Sequence, residues 1–232
     1  MKNRAERALL AASFVALLVA AGCGSDSKTT TDSTGSGSGS STTSTTAPST
    51  AQPDDAVWPF ADSETRYSEP EPAAEGFAVD YLGFVDPVIG TFMADDSRSG
   101  EVTVQPNSSG PVTTVALRKL TTDETWWVQA ATTPNLQLEV PAANASITSP
   151  VTLSGRSTAF EGTVSVEIRQ DGTVTPVGTD FVTGGANGEL GPFSEAIGYT
   201  PPAAASGAIV LKTFGGEEGI LWEASVVRVQ FG

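Results

Sequence analysis

The chain has 232 residues, enough for one or two domains, and its 27 acidic against 12 basic side chains give a formal net charge of −15. A surface this acidic repels nucleic acid and anionic membrane faces, so neither is an expected partner. With no histidine and a single cysteine, an intrachain disulfide, a Cys/His zinc site and Ser-His-Asp or Cys-His catalysis are all excluded, and no metal or cofactor is expected.

Residues 1–22 read as a signal peptide. Lys2, Arg4 and Arg7 make a basic start, and Ala8 to Ala21 is an apolar run about two-thirds the length of a membrane-spanning helix. It ends in Leu18-Val-Ala-Ala-Gly-Cys23, at the chain's lone cysteine. This stretch resembles the lipobox of bacterial lipoproteins, with Ala20 where that family usually has Leu. The resemblance implies cleavage after Gly22 and acylation of Cys23 (diacylglycerol, palmitate-type chains). Two or three such chains would hold the protein on the extracytoplasmic face of the cell membrane. Residues 23–56 are rich in Ser, Thr and Gly, with almost nothing to bury, and are expected to be a disordered tether with a reach of roughly 30–35 Å.

Residues 57–142 read as a small α+β domain, one helix on an antiparallel meander. Glu69-Pro-Glu-Pro72 suits a helix start, Phe77, Tyr81 and Val85 fall at helical spacing, and Gly83 and Pro87 end the helix. Three alternating runs follow: Glu101–Gln105, Val112–Leu120 and Thr125–Ala130. Trp126 and Trp127 must point to opposite faces of their strand. One is expected in the core, and the pair is a candidate partner-binding feature. Asp95 and Asp96 lack the spaced oxygens of a calcium loop and read as a solvated turn.

Residues 143–232 read as an antiparallel β-sandwich of about seven strands, expected to fold alone. In Thr163–Gln170, Val164, Val166 and Ile168 face one way and Ser165, Glu167 and Arg169 the other. In the last strand Val227, Val229 and Phe231 should share a face. Asp171-Gly172 is a hairpin turn signal. Phe160 and Glu161 form a candidate partner-binding pair. The expected structural role is that Phe160 plugs the sandwich end and Glu161 accepts backbone N–H bonds; the functional alternative is an exposed Phe beside a carboxylate. Ser149-Pro-Val-Thr-Leu-Ser-Gly155, Phe160-Glu-Gly-Thr-Val164, Asp171-Gly172 and Gly191-Pro-Phe-Ser194 resemble the immunoglobulin-like domain of bacterial spore-germination and sporulation-associated lipoproteins, over about Asn144 to Gly232. The resemblance implies an extracytoplasmic β-sandwich with no catalytic residue set.

These readings converge on a mainly β, lipid-anchored envelope protein that is not an enzyme. Its immunoglobulin-like module would bind an envelope protein or cell-wall polymer. The alternatives are a carboxylate-dependent hydrolase using Glu161, Asp95 or Asp96, which needs two carboxylates about 5–10 Å apart in a cleft, and a passive spacer. If Cys23 carries the anchor, Cys23→Ala should move the protein out of the membrane fraction or leave it uncleaved. Unchanged processing and fractionation of that variant would refute the anchor.

Overall fold

The computed structural model describes residues 52–215 and 219–232. Cys23 and the expected tether up to residue 51 lie outside the described residues. The last tether residues do not: Ala56 is fully buried, and the Asp54 carbonyl accepts a hydrogen bond from Arg228 Nε at 2.8 Å. A backbone acceptor for a buried guanidinium is what draws this polar stretch into the folded unit.

The helix α1 runs Pro70–Gly76 and continues without a break as a wider π-helical turn, Phe77–Leu82. Proline in its first turn needs no hydrogen bond there, and Gly83 closes it at φ +92. The N–H groups of Gly83 and Phe84 both reach the Ala78 carbonyl, at 3.0 and 2.9 Å. Phe77 and Tyr81 share the buried face, stacked 5.2 Å apart. Val85 does not, because the left-handed residue at 83 turns the chain into solvent before it. Gly76, unfavourable in a helix interior, sits where a Cβ would come 2.0 Å from the Tyr67 hydroxyl.

Strands β1 (Val88–Ile89), β2 (Met93–Ala94), β3 (Ser99–Gln105), β4 (Thr113–Lys119) and β5 (Trp126–Thr132) form the antiparallel meander beneath the helix. Then come β6 (Leu136–Val140), β7 (Ala145–Ile147), β8 (Val151–Ala159), β9 (Thr163–Gln170), β10 (Pro176–Thr183), β11 (Gly185–Ala186), β12 (Gly191–Ile197), β13 (Ser206–Gly215) and β14 (Ile220–Phe231). Among the described residues these make a ten-strand sheet, with main path β1-β3-β4-β5-β14-β13-β9-β10, and a four-strand sheet centred on β8. The protein is mainly β, with antiparallel sheets, a single helix among the described residues and an immunoglobulin-like sandwich. Strand β6, which precedes the expected boundary at residue 143, pairs with β8 in the second sheet, and Leu136 enters the sandwich core.

Two cores flank the long sheet. The helix side gathers Phe77, Tyr81, Val104, Leu117 and Val128. The sandwich side gathers Leu153, Val166, Ile168, Phe193 and Ile197. The hairpin β13–β14 supplies both. Ala208, Val210, Leu221, Ala224 and Val226 belong to the first core, and Ile209, Leu211 and Val229 to the second.

Alternation puts Ser165, Glu167 and Arg169 on the other face of β9, and the double burial covers that face too. Their side of β9 lies under the helix. Arg169 is buried there, its guanidinium 4.7 Å from the Tyr81 ring centre and hydrogen-bonded to the Tyr81 carbonyl. Glu167 binds Arg169 Nε at 2.7 Å and Lys212 Nζ at 2.9 Å. Burial opposes ionisation of Glu167, yet these two cations hold its carboxyl below the usual range. Lys212 is also pushed down, by burial and by Arg169, since two cations share one carboxylate. Asp171, read only as a turn residue, grips buried Arg228 with both oxygens, Nη2 to Oδ2 at 2.7 Å.

The shared hairpin also bears on whether residues 143–232 fold alone. Cut at 143, that segment would expose Val210, Leu221 and Val226, losing about 5–9 kcal/mol at about 1.5–3 kcal/mol each. It would also lose Leu136 and β6. Whole domains are stable by only about 5–15 kcal/mol. A fragment of residues 143–232 is therefore expected to melt without a cooperative transition, while the whole chain melts cooperatively. A sharp transition in the fragment, at the temperature of the whole chain, would contradict this.

Candidate functional site

At one end of the sandwich four separate segments leave a cleft of about 390 Å³. Asn135 comes from the β5–β6 turn, Phe160 from the turn after β8, Asn187 and Gly188 from the β11–β12 turn, and Phe214, Trp222 and Glu223 from the hairpin.

Phe160 lies just past the end of β8. Val151, Leu153, Gly155 and Ser157 are buried along β8, but the alternation ends at Thr158, which is buried as well. Phe160 is 78% exposed and lines the cleft; it does not plug the sandwich. It begins a short 3₁₀ turn, Phe160–Gly162, in which Glu161 adopts a left-handed φ of 59. That conformation is uncommon outside glycine and stores strain of about 1–3 kcal/mol. Glu161 is exposed, does not line the cleft, and no hydrogen bond reaches its carboxylate among the described residues.

The hairpin wall is shaped by a bulge. Thr213 pairs with Glu223 and Phe214 with Leu221, so Trp222 is the extra residue. Bulges re-aim side chains, and the Trp222 ring lies against Gly215, where a Cβ would meet its Cδ2 at 2.8 Å. Phe214 is 48% exposed. Glu223, at the base, is only 3% exposed. Its oxygens accept hydrogen bonds from Thr133 Oγ1 at 2.5 Å, Asn135 Nδ2 at 3.1 Å and Thr213 Oγ1 at 3.5 Å. Burial raises its pKa, and these neutral donors recover only part of the lost hydration.

The remaining sequence candidates lie elsewhere. Trp126 is buried in the helix-side core, edge-on to Phe92 at 5.0 Å, with Lys119 above the ring at 5.2 Å. Trp127 is buried on the opposite face under Arg66, 5.1 Å away, and its indole N–H donates to Thr121 Oγ1 at 3.3 Å. Neither offers an open aromatic face, because charged side chains from neighbouring segments already cover both. Asp95 and Asp96 form the β2–β3 turn, where the Arg98 N–H and Ser99 hold the Asp96 carboxyl below its usual range. Of the acids considered, Glu161, Asp95 and Asp96 are all absent from the cleft. Glu223, the acid that lines it, was not singled out in the sequence, nor were Phe214 and Trp222.

With the sandwich and its cleft in place, comparison with known families is decisive for one part of the chain. Residues 135–219 match the model for the immunoglobulin-like domain of bacterial spore germination. No curated protein and no solved structure matched the chain. The match begins at Asn135, so the immunoglobulin-like domain includes β6, as the sheet pairing requires. Asn135, Phe160, Asn187 and Phe214 lie within it; Trp222 and Glu223 lie beyond its end, on the second strand of the hairpin.

The elevated pKa of Glu223 has a definite sign for stability. The folded chain holds a proton there more readily than the unfolded chain, so the destabilisation is absent below the unfolded pKa and grows as pH rises through the folded one. Glu223→Gln is therefore expected to raise the thermal midpoint at pH 7, by about 2–4 °C for each kcal/mol gained. The gain should fade toward pH 4. An advantage of the same size at both pH values would show that the charge is not its source.

Proposed function

We propose that this is a lipid-anchored envelope protein that works by contact, binding a protein or cell-wall partner at the cleft end of its immunoglobulin-like domain. The observation that carries the reading is the solvent-facing pair Phe160 and Phe214 around a concave site. Exposed aromatic side chains at a cleft mouth provide large contact area for little ordering entropy, as binding surfaces do. The domain matched by residues 135–219 is compatible with a non-catalytic module. The hydrolase alternative needs a second carboxylate in the cleft, and among the described lining residues Glu223 stands alone.

The anchor at Cys23 belongs to the same proposal. No helix of the described residues is long and apolar enough to cross a membrane. A flexible tether would raise the local concentration of the module near a partner at the membrane.

The test is site-specific photo-crosslinking in cells, with a benzophenone side chain at position 160 and a control at exposed Thr152 on the preceding strand β8. A discrete adduct from 160, absent from 152 and lost on Phe214→Ala, is the expected result. Equal labelling from both positions, or an adduct indifferent to Phe214→Ala, would refute the cleft as the contact surface.

A further inference from the structure

Among the described residues two other inward-facing carboxylates meet cations: Glu167 meets Arg169 and Lys212, and Asp171 meets Arg228. Glu223 does not. Among the described residues no Lys or Arg contacts it, and its partners are two hydroxyls and an amide. Arg156, on β8, is engaged instead with the Leu190 carbonyl at 2.9 Å. A buried carboxylate without a counter-charge is costly, and this one sits at the base of an open cleft.

The two oxygens differ. Oε2 takes the short bond from Thr133 at 2.5 Å. Oε1 has only long contacts, 3.3 Å from Asn135 Nδ2 and 3.5 Å from Thr213 Oγ1, so it keeps acceptor capacity. The walls above are the rings of Phe160, Phe214 and Trp222, and aromatic faces attract cations. A small metal ion is a poor fit, because aromatic walls supply no oxygen ligands and no group of three acidic, Cys or His side chains occurs among the described residues.

We propose that the cleft receives a lysine side chain from a protein partner, its alkyl stem against Phe160 and Phe214 and its ammonium group at Glu223. This rests on the cleft being the contact surface. Lysine suits the site better than arginine. A guanidinium is best met by both oxygens of a carboxylate at once, whereas an ammonium is a point charge that needs one. Only Oε1 is underused here. The lysine would also supply the counter-charge that the fold omits.

The experiment uses the full chain in non-ionic detergent and blocked tripeptides Ala-Lys-Ala, Ala-Arg-Ala and Ala-norleucine-Ala, beside an N-acetylglucosamine tetrasaccharide. Binding is read from amide chemical shifts and from tryptophan fluorescence. The lysine peptide should bind saturably and more tightly than the other three. Glu223→Gln should weaken it tenfold or more, and Phe160→Ala, at an exposed position that folding does not require, threefold or more. The proposal is overturned if the norleucine or arginine peptide binds as tightly, if the saccharide alone binds, if no saturable lysine binding occurs, or if Glu223→Gln keeps full affinity. In cells, a position-160 adduct that is lost on Phe214→Ala but persists in Glu223→Gln refutes the lysine inference and leaves the contact reading standing. An adduct that persists in both variants refutes both.

Discussion

A two-stranded hairpin that buries both faces needs two separate partners, and β13–β14 has them. The helix and meander cover one face, and the second sheet covers the other. Most of the remaining architecture follows from serving both. The long sheet exists because β5 and β9 flank the same hairpin, on β14 and β13 respectively. The charges on its helix side are the cost of covering a face that also carries polar groups. Arg169, Lys212 and Arg228 have lost their water, and each is matched by a carboxylate, a ring or a carbonyl. Removing one member of such a set typically costs about 3–5 kcal/mol, because the other is left buried and unpaired. The pairs therefore fix where the helix sits more than they add to net stability.

The strands were legible because their alternation is local. Thr163–Gln170 and the apolar positions of the last strand appear in the sequence as they do in the structure, and the resemblance pointed to the domain that the family match gives. The helix was legible through its proline start and its glycine end, although not the exposed Val85 beyond it. What escaped was set by neighbours distant in the chain. Glu167 and Arg169 alternate with valines, which separates two faces; only Lys212 and Tyr81, from other elements, show that both are covered. Strand β6 has five residues, Leu136–Val140, with one fully buried side chain, too faint a signal against a Pro/Ala-rich surround.

The cleft was the least visible feature for the same reason. Its lining comes from four segments spread between Asn135 and Glu223, so no window of sequence contains it. Phe160 was the one member singled out, and the turn that carries it past the end of β8 leaves no strand alternation to place it. A signal for Glu223 did exist: an acid between Trp222 and Ala224, in a strand otherwise apolar at its start, breaks the local pattern of burial. Natural chains that keep such an unfavourable residue commonly do so where stability is exchanged for function.

The order of elements along the chain has a kinetic side. Both cores are incomplete until β13 and β14 are present, and those strands follow every partner they bury. A chain released N-terminus first would hold the helix, the meander and the second sheet with their central apolar faces open, waiting on the last elements to arrive. Contacts as distant in sequence as Ala131 with Val226 slow folding, because the long loop between them must close first. Until the hairpin is in place both layers present apolar faces to water, so a single closing element decides whether either side holds its shape.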